Sequence, residues 1–243
     1  MTQTPNIHLV RHKSLSANFC RAFAASSGGD IVTDDMMGPW AGFGAPGLME
    51  GLRRNIKAGN DFWFGDHAYF GRGKYFRVTK NAFQHDGRGE PDFDRLRPFW
   101  EKPKPWKKNG RNIVVCTQTQ GYYDRFGIPD WKDQIVNRLK LYTDRTIIVR
   151  EKGVDRPLLQ DFEDAWAVVC CTSNVAVEAI MEGIPAITTG DCAASIMSQH
   201  DPALVEFPVY PDDDERMRWA GVLAANQFTF DEIGTPQFWE KIK

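Results

Sequence analysis

WAVVCCTSNVAVEAIMEGIPAITTG, residues 166–190, reads as a strand, a capped helix and a second strand in direct succession. The apolar run WAVVCC suits a buried strand, and Thr172, Ser173 and Asn174 are residue types that cap the start of a helix. The helical stretch that follows stops at Gly183, and Pro185 opens the short strand IPAIT. Working upstream, RNIVVCTQ at 111–118 predicts a buried strand, WKDQIVNRLKLY at 131–142 an amphipathic helix, RTIIVR at 145–150 a strand and LLQDFEDA at 158–165 another helical stretch. Strands alternating with helices across short links predict parallel pairing. The N-terminal third begins in the same rhythm, with IHLV at 7–10, a helix through SANFCRAFAASS capped by Ser14 or Ser16, and DIVT at 30–33. MEGLRRNIKAG at 49–59 predicts a short helix stopped by Gly59, and DFWFGDHAYF at 61–70 a strand with the loop that leaves it, whereas 34–48 carries no period.

Between 86 and 110 the chain turns polar, and Pro98, Pro103 and Pro105 exclude a regular helix or a central strand. The expected organisation is an α/β domain over 1–97, a linker over 98–110 and a second α/β domain over 111–243. A length of 243 residues allows both to bury a core. With 42% hydrophobic and 26% charged residues, disordered, collagen-like and small disulfide-scaffold classes are excluded, and no solenoid-length repeat occurs. Thirty basic against thirty-two acidic side chains leave a net charge of -2, which excludes a dedicated nucleic-acid coat protein. Five cysteines, at 20, 116, 170, 171 and 192, form no CxxC pair and fit a reducing compartment, Cys170 and Cys171 as small buried hydrophobes. The opening MTQTPNIHLVRHKS lacks the ~7–15 apolar residues of a signal peptide and the ~20 of a membrane span, so a cytoplasmic protein is expected.

Small polar residues at a strand-to-helix junction leave the first helical amides open to an anion. At the carboxyl edge of a parallel sheet such a junction suits a phosphate or pyrophosphate. Glu178, one turn beyond Asn174, is placed to accept hydrogen bonds from ribose hydroxyls. The plainer reading is a helix cap followed by an exposed glutamate. The combined spacing of Ser173, Asn174, Glu178, Ala179, Gly183 and Pro185 resembles the donor-binding segment of nucleotide-sugar glycosyltransferases of the GT-B fold, and is similar to that of the related sugar-nucleotide epimerases. The resemblance is tight over 166–190 and looser over the βα pattern of 110–200. It implies two small Rossmann-like domains with parallel sheets facing a cleft. It further implies a nucleotide-diphosphate sugar as donor substrate, with no other cofactor and no metal. Thr172, Ser173 and Asn174 would then lie by the diphosphate and Glu178 on the ribose. Thr117 and Gln118, followed by Thr119 and Gln120, take the place of the polar loop beside the donor phosphates, and Arg150 and Lys152 that of further phosphate or base contacts.

NDFWFGDHAYFGRGKYFRVTKNAFQH, residues 60–85, interleaves aromatic rings with cations. Tyr69, Arg72, Lys74 and Arg77 are the candidate contacts to an acceptor substrate, since such a pattern stacks on flat rings while pairing with phosphates. A β-hairpin with core aromatics and solvated charges reads the same letters. Glycosyl transfer needs a base for the acceptor proton, and Asp66 or His67 supplies one. Being adjacent in a strand, the two face opposite ways, so one is catalytic and the other structural. Asp34 and Asp35 after the DIVT strand are the reserve candidates. GFGAPG at 42–47 lacks the context of a dinucleotide fingerprint and reads as an ordinary loop. His8 and His12 lack the helical spacing of a zinc pair, and Asp212, Asp213 and Asp214 read as the start of a solvated helix.

The sequence therefore points to transfer of a sugar to a hydroxyl. A glycan and a hydroxymethylated base in DNA, as in compact phage DNA-modifying glycosyltransferases, both remain open as acceptors. PFWEKPKPWKKNGRN at 98–112 reads either as a track for a nucleic-acid backbone or as a linker kept soluble by its lysines. A sugar-nucleotide epimerase or hydrolase and a non-catalytic nucleotide or nucleic-acid binding module are the alternative classes.

Overall fold

A computed structural model describes residues 4–10, 13–44 and 46–243, so His12 lies outside the described residues. Its strands are β1 (Asn6–His8), β2 (Asp30–Val32), β3 (Trp40–Phe43), β4 (Phe62–His67), β5 (Phe76–Lys80), β6 (Asn112–Cys116), β7 (Thr146–Arg150), β8 (Ala165–Cys170), β9 (Ala186–Thr188) and β10 (Gln227–Phe228). The helices are α1 (Ser14–Ser27), α2 (Met49–Lys57), α3 (Phe93–Leu96), α4 (Gln120–Arg125), α5 (Trp131–Leu139), α6 (Leu158–Phe162), α7 (Val175–Met181), α8 (Asp213–Ala225), α9 (Phe230–Ile233) and α10 (Pro236–Ile242). Two compact units result, one of Met1–His85 with Ala224–Lys243 and one of Asp86–Leu223. This grouping moves 86–97 out of the first unit and returns the chain's last twenty residues to it.

In the first unit a six-stranded sheet runs in the order β10-β5-β4-β3-β1-β2. β2, β1, β3 and β4 are parallel, and β5 and β10 are added antiparallel. β3 is a strand where the sequence offered no period. Trp40, Ala41 and Phe43 are all buried, so there is no polar alternation to read. Alternate residues of β3 serve two cores: Trp40 joins Leu52, Phe62 and Phe64, whereas Ala41 and Phe43 join Ile7, Phe19, Phe23, Trp63 and Phe76. The second core is closed by the chain's end, with Phe230 stacked on Phe76 at 4.0 Å and Trp63 Nε1 donating to the Ile242 carbonyl at 3.0 Å. Neither Ser14 nor Ser16 caps α1. The N-cap is Lys13, and Ser16 Oγ instead accepts from the Val10 amide at 3.0 Å.

The second unit holds a four-stranded, wholly parallel sheet in the order β7-β6-β8-β9, as the βα alternation predicts. Ile113, Val114, Val115, Ala167, Val168 and Val169 are fully buried, because helices cover both faces of such a sheet. The polar stretch before β6 is a strap packed on this unit. Trp100 is buried, Trp106 Nε1 donates to the Pro211 carbonyl at 2.8 Å, and Lys107 donates from its backbone to Gly183 at 2.7 Å and from its side chain to Phe162 at 2.7 Å. Arg216 of α8 lies fully buried beneath it, 4.2 Å from the Trp106 ring and donating to the Lys104 carbonyl at 2.9 Å. α8 is solvated at its acidic start and at Arg218, whereas Trp219, Val222 and Leu223 are buried. All five cysteines are buried free thiols, Cys170 and Cys171 among them.

Candidate functional site

Parallel strands deliver their carboxyl ends to one edge, and in the second unit that edge gathers most of the donor-side candidates. Thr117 follows β6 and donates from its backbone to the Arg150 carbonyl at the end of β7 at 2.9 Å. Gln118 Nε2 lies 3.4 Å from Thr172 Oγ1 beyond β8, joining the two polar loops that the sequence set apart by more than fifty residues. Thr172 Oγ1 also lies 2.7 Å from the hydroxyl of Tyr122 on α4. Asn174 is the N-cap of α7 without a side-chain cap bond, and Ser173 Oγ accepts from the Val175 amide at 3.3 Å. Glu178 sits one turn on, half-buried. Thr119 and Gln120 are exposed where α4 begins.

Three aromatic side chains that the sequence reading passed over hold this edge in place. Tyr123 accepts the Gln118 amide on its hydroxyl at 2.8 Å and stacks on Trp131 at 5.4 Å. Trp131 Nε1 in turn donates to Thr189 Oγ1, just past β9, at 2.7 Å. Tyr122 completes the set, and burial pushes its phenol up despite the bond to Thr172. Their signal was present in the letters: two tyrosines one turn into a helix that follows a strand end.

Arg150 belongs to a different arrangement. Its guanidinium pairs with Asp161 and donates to the Arg156 carbonyl at 2.7 Å, and Arg156 pairs with the same carboxylate. Burial alone would raise Asp161, but the hydrogen bonds from Arg156 and Arg150 outweigh it and hold the carboxyl below its usual range. Lys152 is exposed on the loop beyond.

In the first unit, Asp66 and His67 end β4 and do point apart. Asp66 pairs across the hairpin with Arg77, Oδ2 to Nη2 at 2.7 Å, in direct register. His67 turns into the aromatic core, its ring 5.7 Å from Phe43 and 6.3 Å from Phe76. The aromatics of this hairpin are core, as the plainer reading had it, but its charges are not all solvated. Arg77 is buried, donates to the His67 carbonyl at 2.8 Å and lies 5.2 Å from the Tyr69 ring. Tyr69 is buried as well, its hydroxyl accepting from the His85 amide at 2.9 Å. Arg72 and Lys74 are exposed at the hairpin tip. Asp35 pairs with Arg54 of α2, and Asp34 is exposed. His8 ends β1 buried, its ring stacked on Trp40 at 5.4 Å; burial lowers it to about 4.

Among the described residues no group of three or more His, Cys, Asp or Glu side chains could hold a metal ion, and no helix is long and apolar enough to cross a membrane. No family model and no curated protein sequence matches the chain. Solved structures do. The chain matches the β-Kdo 2,7 transferase of KpsC from Thermosulfurimonas dismutans with a TM-score of 0.55 and 12% identity, over 97% of its own length and 99% of the other. It matches the β-Kdo 2,4 transferase of the same KpsC with a TM-score of 0.53 and 12% identity, over 92% and 90% of the two chains. At that identity the likeness shows the fold: two α/β domains of GT-B-like architecture.

Proposed function

We propose that the chain is a metal-independent glycosyltransferase that moves a sugar from a nucleotide-sugar donor, a nucleotide-diphosphate sugar by its motif, to a hydroxyl of a glycan. The observation that carries this reading is the convergence of Thr117 and Gln118 with Thr172, Ser173 and Asn174 at one edge of a parallel sheet, with Glu178 one turn further on. Small hydroxyls and side-chain amides at that edge suit the phosphates of a leaving nucleotide. The likeness to two sugar transferases over nearly the whole chain supports the same class.

In this reading the bond between the anomeric carbon and the donor phosphate breaks and its electron pair leaves with the phosphate. The acceptor oxygen bonds to that carbon, and its proton passes to Asp66. Asp66 is favoured over His67 because about a third of its side chain, 32%, is exposed, whereas the His67 ring packs among core aromatics. Arg77 and Tyr69 act here by holding Asp66 and the hairpin, leaving Arg72 and Lys74 as the cations that reach an acceptor. A glycan is favoured over DNA because the tryptophans and Lys107 of the 98–112 stretch are engaged with their own unit.

The test is a thermal-shift screen against UDP, GDP, ADP, CMP, their common sugar conjugates and activated Kdo. A ligand at 100 times its dissociation constant adds about 2.7 kcal/mol. A shift with one nucleotide, followed by transfer to a glycan, supports the proposal. Transfer to hydroxymethylated DNA would move the acceptor to nucleic acid, donor consumption without acceptor would indicate a hydrolase or epimerase, and silence across the panel would leave a binding module. Asp66→Asn is expected to lower turnover by about 10²–10⁴-fold with donor affinity unchanged. Full activity in that variant would remove Asp66 as the base.

A further inference from the structure

We propose that α4 carries the nucleoside subsite of the donor, with Tyr122 and Phe126 as the platform on which the base stacks and Gln118 as an acceptor for a donor group of the ribose or base. The inference rests on the nucleotide-sugar reading and adds the part of the ligand that phosphate contacts cannot recognise. The two rings stand one helical turn apart, 4.5 Å between centroids and tilted by 30°. Phe126 keeps 39% of its surface exposed, whereas Tyr123 of the same helix is buried and Tyr122 half-buried. A lone exposed phenylalanine needs no explanation, but this one lies on a ring whose hydroxyl is 2.7 Å from Thr172 Oγ1, next to Ser173. The platform thus begins at Thr172, a member of the proposed phosphate cradle.

It is also rigid. The Tyr122 hydroxyl is tied to the loop after β8, the Tyr123 hydroxyl to the Gln118 amide after β6, and Tyr123 stacks on Trp131, which is tied to Thr189 after β9. An aromatic face fixed in advance loses little freedom when a flat ring settles on it. Gln118 adds chemical direction. Its side-chain oxygen is buried and has no hydrogen-bond partner among the described residues. Such an acceptor calls for an N–H or O–H group. Ribose hydroxyls and the exocyclic amines of bases supply one, and a fully ionised phosphate does not.

Calorimetry on the full chain tests this with UDP, GDP, ADP, CDP and CMP, and with inorganic pyrophosphate as the ligand without a base. Phe126→Ala is expected to weaken whichever nucleotide binds by about tenfold, the scale of one lost base stack, while leaving pyrophosphate affinity unchanged. Phe126→Tyr, which restores a ring, should recover nucleotide affinity. Unchanged nucleotide affinity in Phe126→Ala, or equal weakening of nucleotide and pyrophosphate, would overturn the subsite while leaving the nucleotide-sugar reading standing. Absence of nucleotide binding to the unaltered chain would overturn that reading, and this inference with it.

Discussion

Glu178 shows how a single carboxylate can be tested apart from its surroundings. It is half-buried on α7, and its charge adds to the burial that pushes the Cys116 thiol up to about 12. If it binds ribose hydroxyls, Glu178→Ala should weaken donor binding by about 1–3 kcal/mol, read by calorimetry. Unchanged affinity would take it out of the site. His8 makes a prediction of another kind. Burial lowers it from 6.5 to about 4, against a hydrogen bond that the ring donates to the Asp34 backbone, which raises it. Because the folded state disfavours the charged ring, His8 contributes its full stability above pH ~6.5. That contribution is lost as pH falls from there through about 4, by up to about 3 kcal/mol at 1.36 kcal/mol per unit. Urea unfolding at pH 7.5 and pH ~5 should show a smaller pH dependence in His8→Gln than in the unaltered protein. Identical pH dependences would mean that the ring is not held neutral.

At the scale of elements, Gly183 joins the motif to the strap. The sequence reads it as the stop of α7, and it does stop it, at a φ of 73° that favours glycine. Its second duty was illegible: a Cβ there would collide with the Pro105 carbonyl, and its own carbonyl accepts the Lys107 amide at 2.7 Å. Gly183→Ala should therefore destabilise the protein by more than the ~1 kcal/mol of a backbone penalty alone, about 2–4 kcal/mol, in a denaturant titration. A loss under ~1 kcal/mol would show that the strap can lift. The same comparison explains why some elements were readable and others not. β6, β7, β8 and β9 announce themselves by β-branched runs between helices with an apolar stripe. β3 is a four-residue strand of Trp, Ala, Gly and Phe buried on both faces, with no period to detect. The strap's prolines rule out regular structure but say nothing of where its tryptophans go.

At the scale of the whole molecule, one unit is a continuous stretch and the other is not. Asp86–Leu223 contains all four of its strands, whereas the first unit needs the chain's last twenty residues to cover Phe76 and Trp63. A fragment spanning 86–223 should therefore melt cooperatively on its own, and one spanning 1–85 should not. Circular dichroism and differential scanning calorimetry distinguish them. A cooperative melt of the 1–85 fragment would show that α9 and α10 are dispensable.

Local patterns in the sequence were sufficient for the α/β class, the parallel pairing of the second sheet, the strand-to-helix junction at 172–174 and the burial of Cys170 and Cys171. Each depends on residues within a turn or a strand of one another. Which polar side chains are engaged, and with whom, only the tertiary structure decided. Asp66 meets Arg77, Gln118 meets Thr172, Arg216 meets Lys104 and Trp63 meets Ile242 across separations of 11, 54, 112 and 179 residues. No local period encodes such pairs, because they form only once the strands are in register and the helices are packed.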